Sequence, residues 1–255
     1  PQLMKKNYSP DYLEQFSPGP NDICTEQLSG GTTGLPKGIP RTHNDFFCGW
    51  DYIGRAGGYT DDSIGLVPFP VAHNASIENV CGPLIFRGGT IVLSPSPKAE
   101  SHFKLIDKYK VTHTLLIPVQ ITYWMEAHED LSKKYDISSL KVIASGRQKV
   151  RHQLASWCIE TLGAAFVNTY GMSEGLQLSL RWDSPKEVMI STVGWPVISD
   201  SDSHIKLVDQ NNREVKKGEI GEMVIKGPLL SKAISETMIK RERHLISRAF
   251  TILST

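Results

Sequence analysis

Short runs dense in aliphatic and β-branched residues alternate with stretches of helical periodicity along most of the chain. Ile23 to Leu28 reads as a strand that runs into a glycine-rich segment. Thr42-His43-Asn44-Asp45 reads as a helix start, with Thr42 at the cap and Asp45 three residues on, where a capping box usually carries Glu. The helix it opens carries Phe46, Phe47, Trp50 and Ile53. Ser63 to Pro68 and Thr90 to Leu93 are predicted strands, separated by a helix that ends near Gly88-Gly89. A helix around Phe103 to Tyr109 and a strand from Val111 to Ile117 follow. Next come a helix from Val119 to His128, the strand Leu140 to Ala144, a helix from Val150 to Leu162, and the strand Ala165 to Asn168 ending at Tyr170-Gly171. Strands alternating with helices of this length are the mark of βαβ units, so the expected fold is α/β, a mostly parallel sheet with flanking helices.

Beyond about Asp183 the texture changes. His204-Ile205-Lys206-Leu207-Val208, the turn Asp209 to Asn212 and Gly221 to Ile225 have the alternation of antiparallel strands. The expected organisation is therefore an α/β unit over residues 1–182, a smaller β-rich subdomain over 183–230 and a divergent or truncated tail over 231–255, which has neither a clear helix cap nor a terminating glycine.

Composition narrows the function classes. The chain has 255 residues, 28 Lys and Arg against 27 Asp and Glu, and a net charge of +1, which is not the basic excess of a nucleic-acid binder. Cys24, Cys48, Cys81 and Cys158 are far apart and form no C-x-x-C pair, so neither a disulfide framework nor a zinc knuckle is expected. Apolar runs such as Leu115 to Val119 fall far short of the roughly 20 residues a membrane span needs, and the first residues lack the order of a signal peptide. The expectation is a cytoplasmic protein with no nucleic-acid or membrane partner. The chain begins at Pro1 rather than Met, as a processed chain or a fragment would.

The segment Leu28-Ser-Gly-Gly-Thr-Thr-Gly-Leu-Pro-Lys37 carries the clearest chemistry. Without Cβ atoms at Gly30, Gly31 and Gly34, backbone N–H groups can approach phosphate oxygens; Ser29, Thr32 and Thr33 add hydroxyl donors, and Lys37 adds charge. Such a loop suits a polyphosphate. It is not a Walker-type P-loop, because Pro36 stands where that motif needs glycine before its lysine, and Gly38 where it needs the magnesium-binding hydroxyl.

The run resembles the signature loop of the adenylate-forming (AMP-dependent synthetase/ligase) superfamily. Its continuation, Gly38-Ile-Pro-Arg-Thr-His43-Asn-Asp45, resembles the stand-alone aryl-acid-AMP ligases of siderophore synthesis. A second block, Asn168-Thr-Tyr-Gly-Met-Ser-Glu174-Gly, is similar to the superfamily's aromatic-Gly-x-[ST/A]-Glu motif, and Val71-Ala-His73-Asn74 to the aryl ligases' Ala-His-Asn segment. Taken alone, a Tyr-Gly pair followed by Glu is a turn with a solvated acid, and His-Asn is a structural pair; the motifs together, in this order, carry the likeness. Gly88 to Pro97, Gly194-Trp-Pro-Val197 and Gly218 to Pro228 extend it.

What the resemblance implies is an ATP-dependent activation of a carboxylic acid, of the 2,3-dihydroxybenzoate or salicylate type, to an acyl adenylate, with release of pyrophosphate. The product would be loaded onto a carrier protein or CoA in siderophore or nonribosomal peptide synthesis. By the same resemblance ATP contacts fall to Ser29, Gly30, Gly31, Thr32, Thr33, Gly34, Lys37, Gly146, Arg147, Gln148, Asn168, Tyr170, Gly171, Met172 and Ser173, and Mg²⁺ to Glu174. The acid would meet His73, Asn74, Asn79, Ser145, Gly146 and Leu176, with Lys37, His73 and Glu174 nearest the chemistry and His73 acting by position. Two departures bear on the substrate. Ala75 stands where these ligases place an aromatic, before a segment Ser76 to Cys81 read as a loop one residue shorter, and Gly146-Arg147-Gln148 replaces a Gly-Gly-Ala stretch. The resemblance also implies that a C-terminal lysine-bearing domain is absent, so a truncated, non-catalytic fragment that at most binds nucleotide is the alternative expectation.

Overall fold

The structure, a computed structural model, describes residues 17–29, 37–146, 148–197 and 204–230. The expected tail over 231–255 lies outside them. An antiparallel hairpin comes first, β1 (Ile23–Ser29) with β2 (Lys37–Thr42), in a register that sets Ser29 opposite Lys37. The sequence reading had no strand at β2, because Gly38 and Pro40 are poor strand formers; a two-stranded hairpin has only edges, and there proline is tolerated. Helix α1 (His43–Ala56) follows, with the capping box closed in both directions: the Asp45 N–H donates to Thr42 Oγ1 (3.2 Å) and the Thr42 N–H to Asp45 Oδ2 (2.8 Å). On α1 Phe46 and Ile53 are buried, while Phe47 is 57% exposed and meets Phe86 edge-on at 4.8 Å.

The main sheet runs β4 (Thr90–Leu93), β3 (Ile64–Val67), β5 (His113–Leu116), β6 (Val142–Ser145), β7 (Ala165–Gly171), β8 (Gln177–Ser179), β9 (Trp195–Pro196). The first five are mutually parallel, β8 runs antiparallel to β7 and β9 antiparallel to β8, which makes the expected α/β class with its mostly parallel sheet the observed one. Residues on β3, β5, β6 and β7 are buried on both faces, as parallel strands require. Leu66, Leu116, Ile143 and Phe166 pack with Phe103 and Ile106 of α4 (Ala99–Tyr109), Ile121 and Trp124 of α5 (Pro118–Leu131) and Leu154 and Cys158 of α6 (His152–Glu160). Their neighbours Val67, Leu115, Ala144 and Val167 point to the other face, against Val80 and Leu84.

Between β3 and β4 the chain makes one continuous helical stretch: α2 (Asn74–Ser76), a π turn (Ile77–Cys81) and α3 (Gly82–Arg87). This corrects the loop expected over Ser76 to Cys81. The widened turn is closed by the Gly82 N–H reaching back to the Ile77 carbonyl, and it keeps helical hydrogen bonding where the sequence offers no strong 3.6-residue pattern. Helix α3 ends at Gly88, left-handed at φ 79°, as the Gly88-Gly89 pair predicts.

The β3-to-β4 connection crosses one face of the sheet, and α4, α5 and α6 cross the other. From the C-terminal ends of the neighbours β3 and β5 the chain thus departs to opposite faces. That is a topological switch point, where open α/β sheets form their ligand crevice. Residues 186–191 form helix α7 (Lys186–Ser191), β9 after it is the edge strand of this sheet, and the antiparallel pair β10 (His204–Val208) and β11 (Glu222–Lys226) forms a sheet of its own.

Candidate active site

A cavity of about 220 Å³ opens at that switch point, beyond the C-terminal ends of β5, β6 and β7. Three stretches far apart in sequence build its wall: Phe69 with His73 to Ala75 and Asn79, then Gly146, then Thr169 to Ser173 with Gln177. Leu115 to Ile117 supply its apolar side.

The first stretch is held in shape by local hydrogen bonds. His73 caps α2, its Nδ1 accepting from the Ala75 N–H at 3.0 Å, so the neutral ring carries its proton on Nε2. Ser76 Oγ donates to the Pro70 carbonyl (2.9 Å), and Asn79 Nδ2 to the Ala75 carbonyl (3.2 Å), while the Asn79 carbonyl accepts from the Tyr59 hydroxyl (2.8 Å). Asn74 differs: its Oδ1 is buried and meets no hydrogen-bond partner among the described residues. An unmet acceptor of this kind costs about 1–3 kcal/mol, so its presence in a cavity wall points to a ligand donor.

At the end of β6, Ser145 is fully buried, its Oγ unpartnered among the described residues, and Gly146 allows a close approach of backbones. A Cβ on Gly146 would stand 2.6 Å from both the carbonyl oxygen and Oγ1 of Thr169. At the end of β7 the chain turns back into β8, closed by Met172 N–H to the Leu176 carbonyl and Gly175 N–H to the Met172 carbonyl, both 3.0 Å. Gly175 sits at φ +119°, and a Cβ there would strike the Leu229 carbonyl at 1.8 Å. Glu174 lies on this turn, partly exposed. Burial pushes the Tyr170 hydroxyl above its ordinary pKa, and the nearby Glu174 charge adds to the shift.

Of the expected residues, His73, Asn74, Asn79, Gly146, Tyr170, Gly171, Met172 and Ser173 thus share one cavity. Ser145 lies buried directly behind its wall, at the strand end before Gly146. Asn168 instead donates Nδ2 to the Thr192 carbonyl (3.0 Å), Leu176 is buried outside the cavity lining, and Gln148 is exposed. Gly30, Gly31, Thr32, Thr33, Gly34 and Arg147 lie outside the described residues, and Ser29 and Lys37 are described by their backbones alone. Among the described residues no three His, Cys, Asp or Glu side chains cluster as a metal site. The single carboxylate of Glu174 matches the way Mg²⁺ is commonly held, by one or two carboxylates with substrate phosphates and water.

Sequence reasoning missed a buried charged network beside the cavity. Arg41 is wholly buried; its Nε donates to Asp45 Oδ1 (2.9 Å), and its Nη1 to Glu78 Oε1 (2.5 Å) and to the Ser173 carbonyl (3.0 Å). Gln177 Nε2 donates to the other Glu78 oxygen, Oε2 (2.9 Å). Burial raises the pKa of Glu78 and of Asp45, and the Arg41 charge opposes both shifts. With both of its oxygens accepting, Glu78 is satisfied as a carboxylate. The signal in the sequence was faint, since Arg41 and Asp45 are four apart at a helix start and Glu78 is 37 residues away.

The profile of the family described as "AMP-binding enzyme" matches residues 3–234. Over 229 residues, 89% of this chain, it is 35% identical to pyochelin synthase PchD of Pseudomonas aeruginosa strain UCBPP-PA14, covering 41% of that protein. Over 210 residues it is 36% identical to the 2,3-dihydroxybenzoate-AMP ligase of Bacillus subtilis strain 168, covering 82% of this chain and 38% of the relative. The apo structure of MbtA from Mycobacterium smegmatis superposes with a TM-score of 0.75 at 31% identity, over 84% of this chain and 39% of that one. The chain therefore spans about two fifths of the length of the relatives it matches. Among the described residues no helix is long and apolar enough to cross a membrane.

Proposed function

The chain belongs to the AMP-binding enzyme family, and from that premise we propose that it forms the nucleotide- and acid-binding part of a ligase that activates an aryl carboxylic acid with ATP. The observation that carries the reading is the single cavity at the switch point, into which the His73-Asn74 and Tyr170 to Ser173 segments converge across Gly146. Its size, about 220 Å³, is below the ~300–1,000 Å³ of sites for drug-sized ligands and suits one ring-sized group. The names of two relatives, a 2,3-dihydroxybenzoate-AMP ligase and a pyochelin synthase, support an aryl acid and a place in siderophore assembly.

In this reaction the acid's carboxylate, already ionised at neutral pH, attacks the α-phosphorus of ATP. The bond from that phosphorus to the pyrophosphate oxygen breaks, and pyrophosphate leaves. No protein nucleophile is needed; what the chain supplies is position and charge. Asn74 and Asn79 hold the ring, Gly146 lets it lie close to the end of β6, and Tyr170 flanks the adenine. His73, fixed by the Ala75 N–H, orients the carboxylate rather than taking a proton. The segment Ser29 to Lys37 receives the β- and γ-phosphates, its two ends brought opposite each other by the hairpin register. Mg²⁺ on Glu174 would neutralise phosphate charge. The acyl group would pass to the thiol of CoA or of a carrier protein.

Binding of non-hydrolysable acyl adenylate mimics tests the reading without requiring turnover. Titrated calorimetrically into the 255-residue chain, a 2-hydroxybenzoyl sulfamoyl adenosine is expected to bind at least tenfold more tightly than a decanoyl one. Equal affinities, or binding of neither, would sink the aryl-acid assignment.

A further inference from the structure

Building on that reading, we propose that Gln177 is a specificity-determining residue of the acid pocket, held by the buried Glu78–Arg41 pair so that its carbonyl oxygen faces the cavity and selects a ring bearing a hydroxyl or amino donor. Gln177 lies on β8 opposite Gly171 of β7, is 9% exposed and lines the cavity. Gly171 leaves room for it: a Cβ there would stand 3.2 Å from Gln177 Cγ. A free amide can present either its oxygen or its NH₂. This one cannot choose, because Nε2 is committed to Glu78 Oε2 at 2.9 Å.

Glu78 in turn has no freedom. It is 2% exposed on the π turn, and its second oxygen receives Arg41 Nη1. Arg41 carries only donors and is fixed from the other side by Asp45 Oδ1 and the Ser173 carbonyl. A guanidinium makes the carboxylate an acceptor at both oxygens, the carboxylate demands the amide NH₂, and Oε1 is the amide atom left for the cavity. Asn74, on another element, lines the same cavity, and its buried Oδ1, unpartnered among the described residues, is a second acceptor at this wall. A second carboxylate on the ring would meet like partial charge, whereas hydroxyl or amino groups would meet partners.

Sulfamoyl adenosines carrying benzoyl groups with a hydroxyl, or with a methoxy that accepts but cannot donate, at ring positions 2, 3 and 4 separate the possibilities. The readout is the hydroxyl-to-methoxy affinity ratio at each position, for the wild type, Gln177→Leu and Glu78→Gln. The wild type is expected to favour hydroxyl by about tenfold or more at two positions, one for each acceptor. Gln177→Leu should bring the ratio at one of them to within about threefold of unity and leave it at the other. Glu78→Gln frees the amide to turn and should reduce the ratio at the same position as Gln177→Leu. A merely structural role would weaken hydroxyl and methoxy compounds alike and leave the ratios standing. Wild-type ratios near one with binding intact, or ratios unmoved by Gln177→Leu, would overturn this inference and leave the aryl-acid reading in place. Absence of binding by every benzoyl compound would overturn both.

Discussion

Replacing Arg41 by methionine removes the cation that pairs with two buried carboxylates, Asp45 and Glu78. The Arg41 side chain is 0% exposed and those of Asp45 and Glu78 are 3% exposed, so solvent cannot take over its role. Asp45 keeps the Thr42 N–H and hydroxyl, but among the described residues Glu78 keeps Gln177 Nε2 alone. Deleting one partner of a buried ion pair costs about 3–5 kcal/mol, most of it the stranded charge rather than the lost attraction. Arg41→Met is therefore expected to lower the unfolding free energy by that amount in urea titrations at pH 7.5. Arg41→Met combined with Glu78→Met should cost less than about 2 kcal/mol, since a pair replaced by apolar groups of similar length leaves no stranded ion. The pH dependence has a definite sign. Burial already raises the folded pKa of Glu78 above the ordinary 4.5, and loss of Arg41 raises it further. In the single variant the folded state then binds more protons than the unfolded state above pH 4.5, so stability falls as pH rises through the folded pKa. The penalty should accordingly be smaller at pH 5.5 than at pH 7.5. An Arg41→Met cost below about 1 kcal/mol, or a double variant no better than the single one, would refute the reasoning.

Gly146→Ala places a methyl group 2.6 Å from the Thr169 carbonyl oxygen and Oγ1, and should cost about 1–3 kcal/mol by overpacking while weakening binding of the benzoyl adenylate mimic; urea unfolding and calorimetry check both. His102 and His113 are buried neutral, their pKa values lowered by burial from 6.5 to about 4. Because the unfolded chain takes protons first, their contribution is complete above about pH 6.5 and is lost as pH falls toward 4, at most about 3 kcal/mol for each ring. Unfolding titrations at pH 7.5, 5.5 and 4.5 should follow that decline, and His102→Phe, which removes a ring that both accepts from Trp124 Nε1 and meets the Ser96 carbonyl, should flatten part of it.

The parallel core was legible because its local signals agreed. The strand at Thr90 to Leu93, the helix stop at Gly88 and the capping box at Thr42 each state one conformation within a few residues, and the structure keeps all three. Strand β2 was not legible, since Pro40 and Gly38 argue against a strand until a partner is known, and the partner is β1, on the other side of the glycine-rich segment in sequence. The π turn was hidden for a related reason: Ser76 to Cys81 carries no helical stripe, and its helical bonding depends on α3 continuing it and on Gly82 lying against Trp50 of α1, where a Cβ would stand 2.1 Å from Nε1. Within the site, His73-Asn74 and Tyr170-Gly171 could be named from their order along the chain. Their meeting at one cavity follows from the strand order, which places the ends of β3, β5, β6 and β7 together.

The residues that escaped notice are those whose role exists only in three dimensions. Arg41 belongs to the strand that follows the glycine-rich segment, Glu78 to the π turn, Ser173 to the turn carrying Glu174, and Gln177 to the strand after it. Each is an ordinary polar residue in sequence, and none is four or fewer positions from its partner except the pair Arg41 and Asp45. One guanidinium, with no exit to solvent, joins the two stretches that sequence motifs single out for phosphate and metal. Arg41 Nη1 reaches both Glu78 and the Ser173 carbonyl, so a shift in the hairpin cannot leave the Glu174 turn and the π turn where they are without breaking one of two buried bonds. Lysine at this position would offer a single ammonium to three acceptors on three elements, where the planar fork of arginine meets Asp45 from Nε and both Glu78 and the Ser173 carbonyl from Nη1. The choice of arginine is therefore explained by geometry rather than by charge alone.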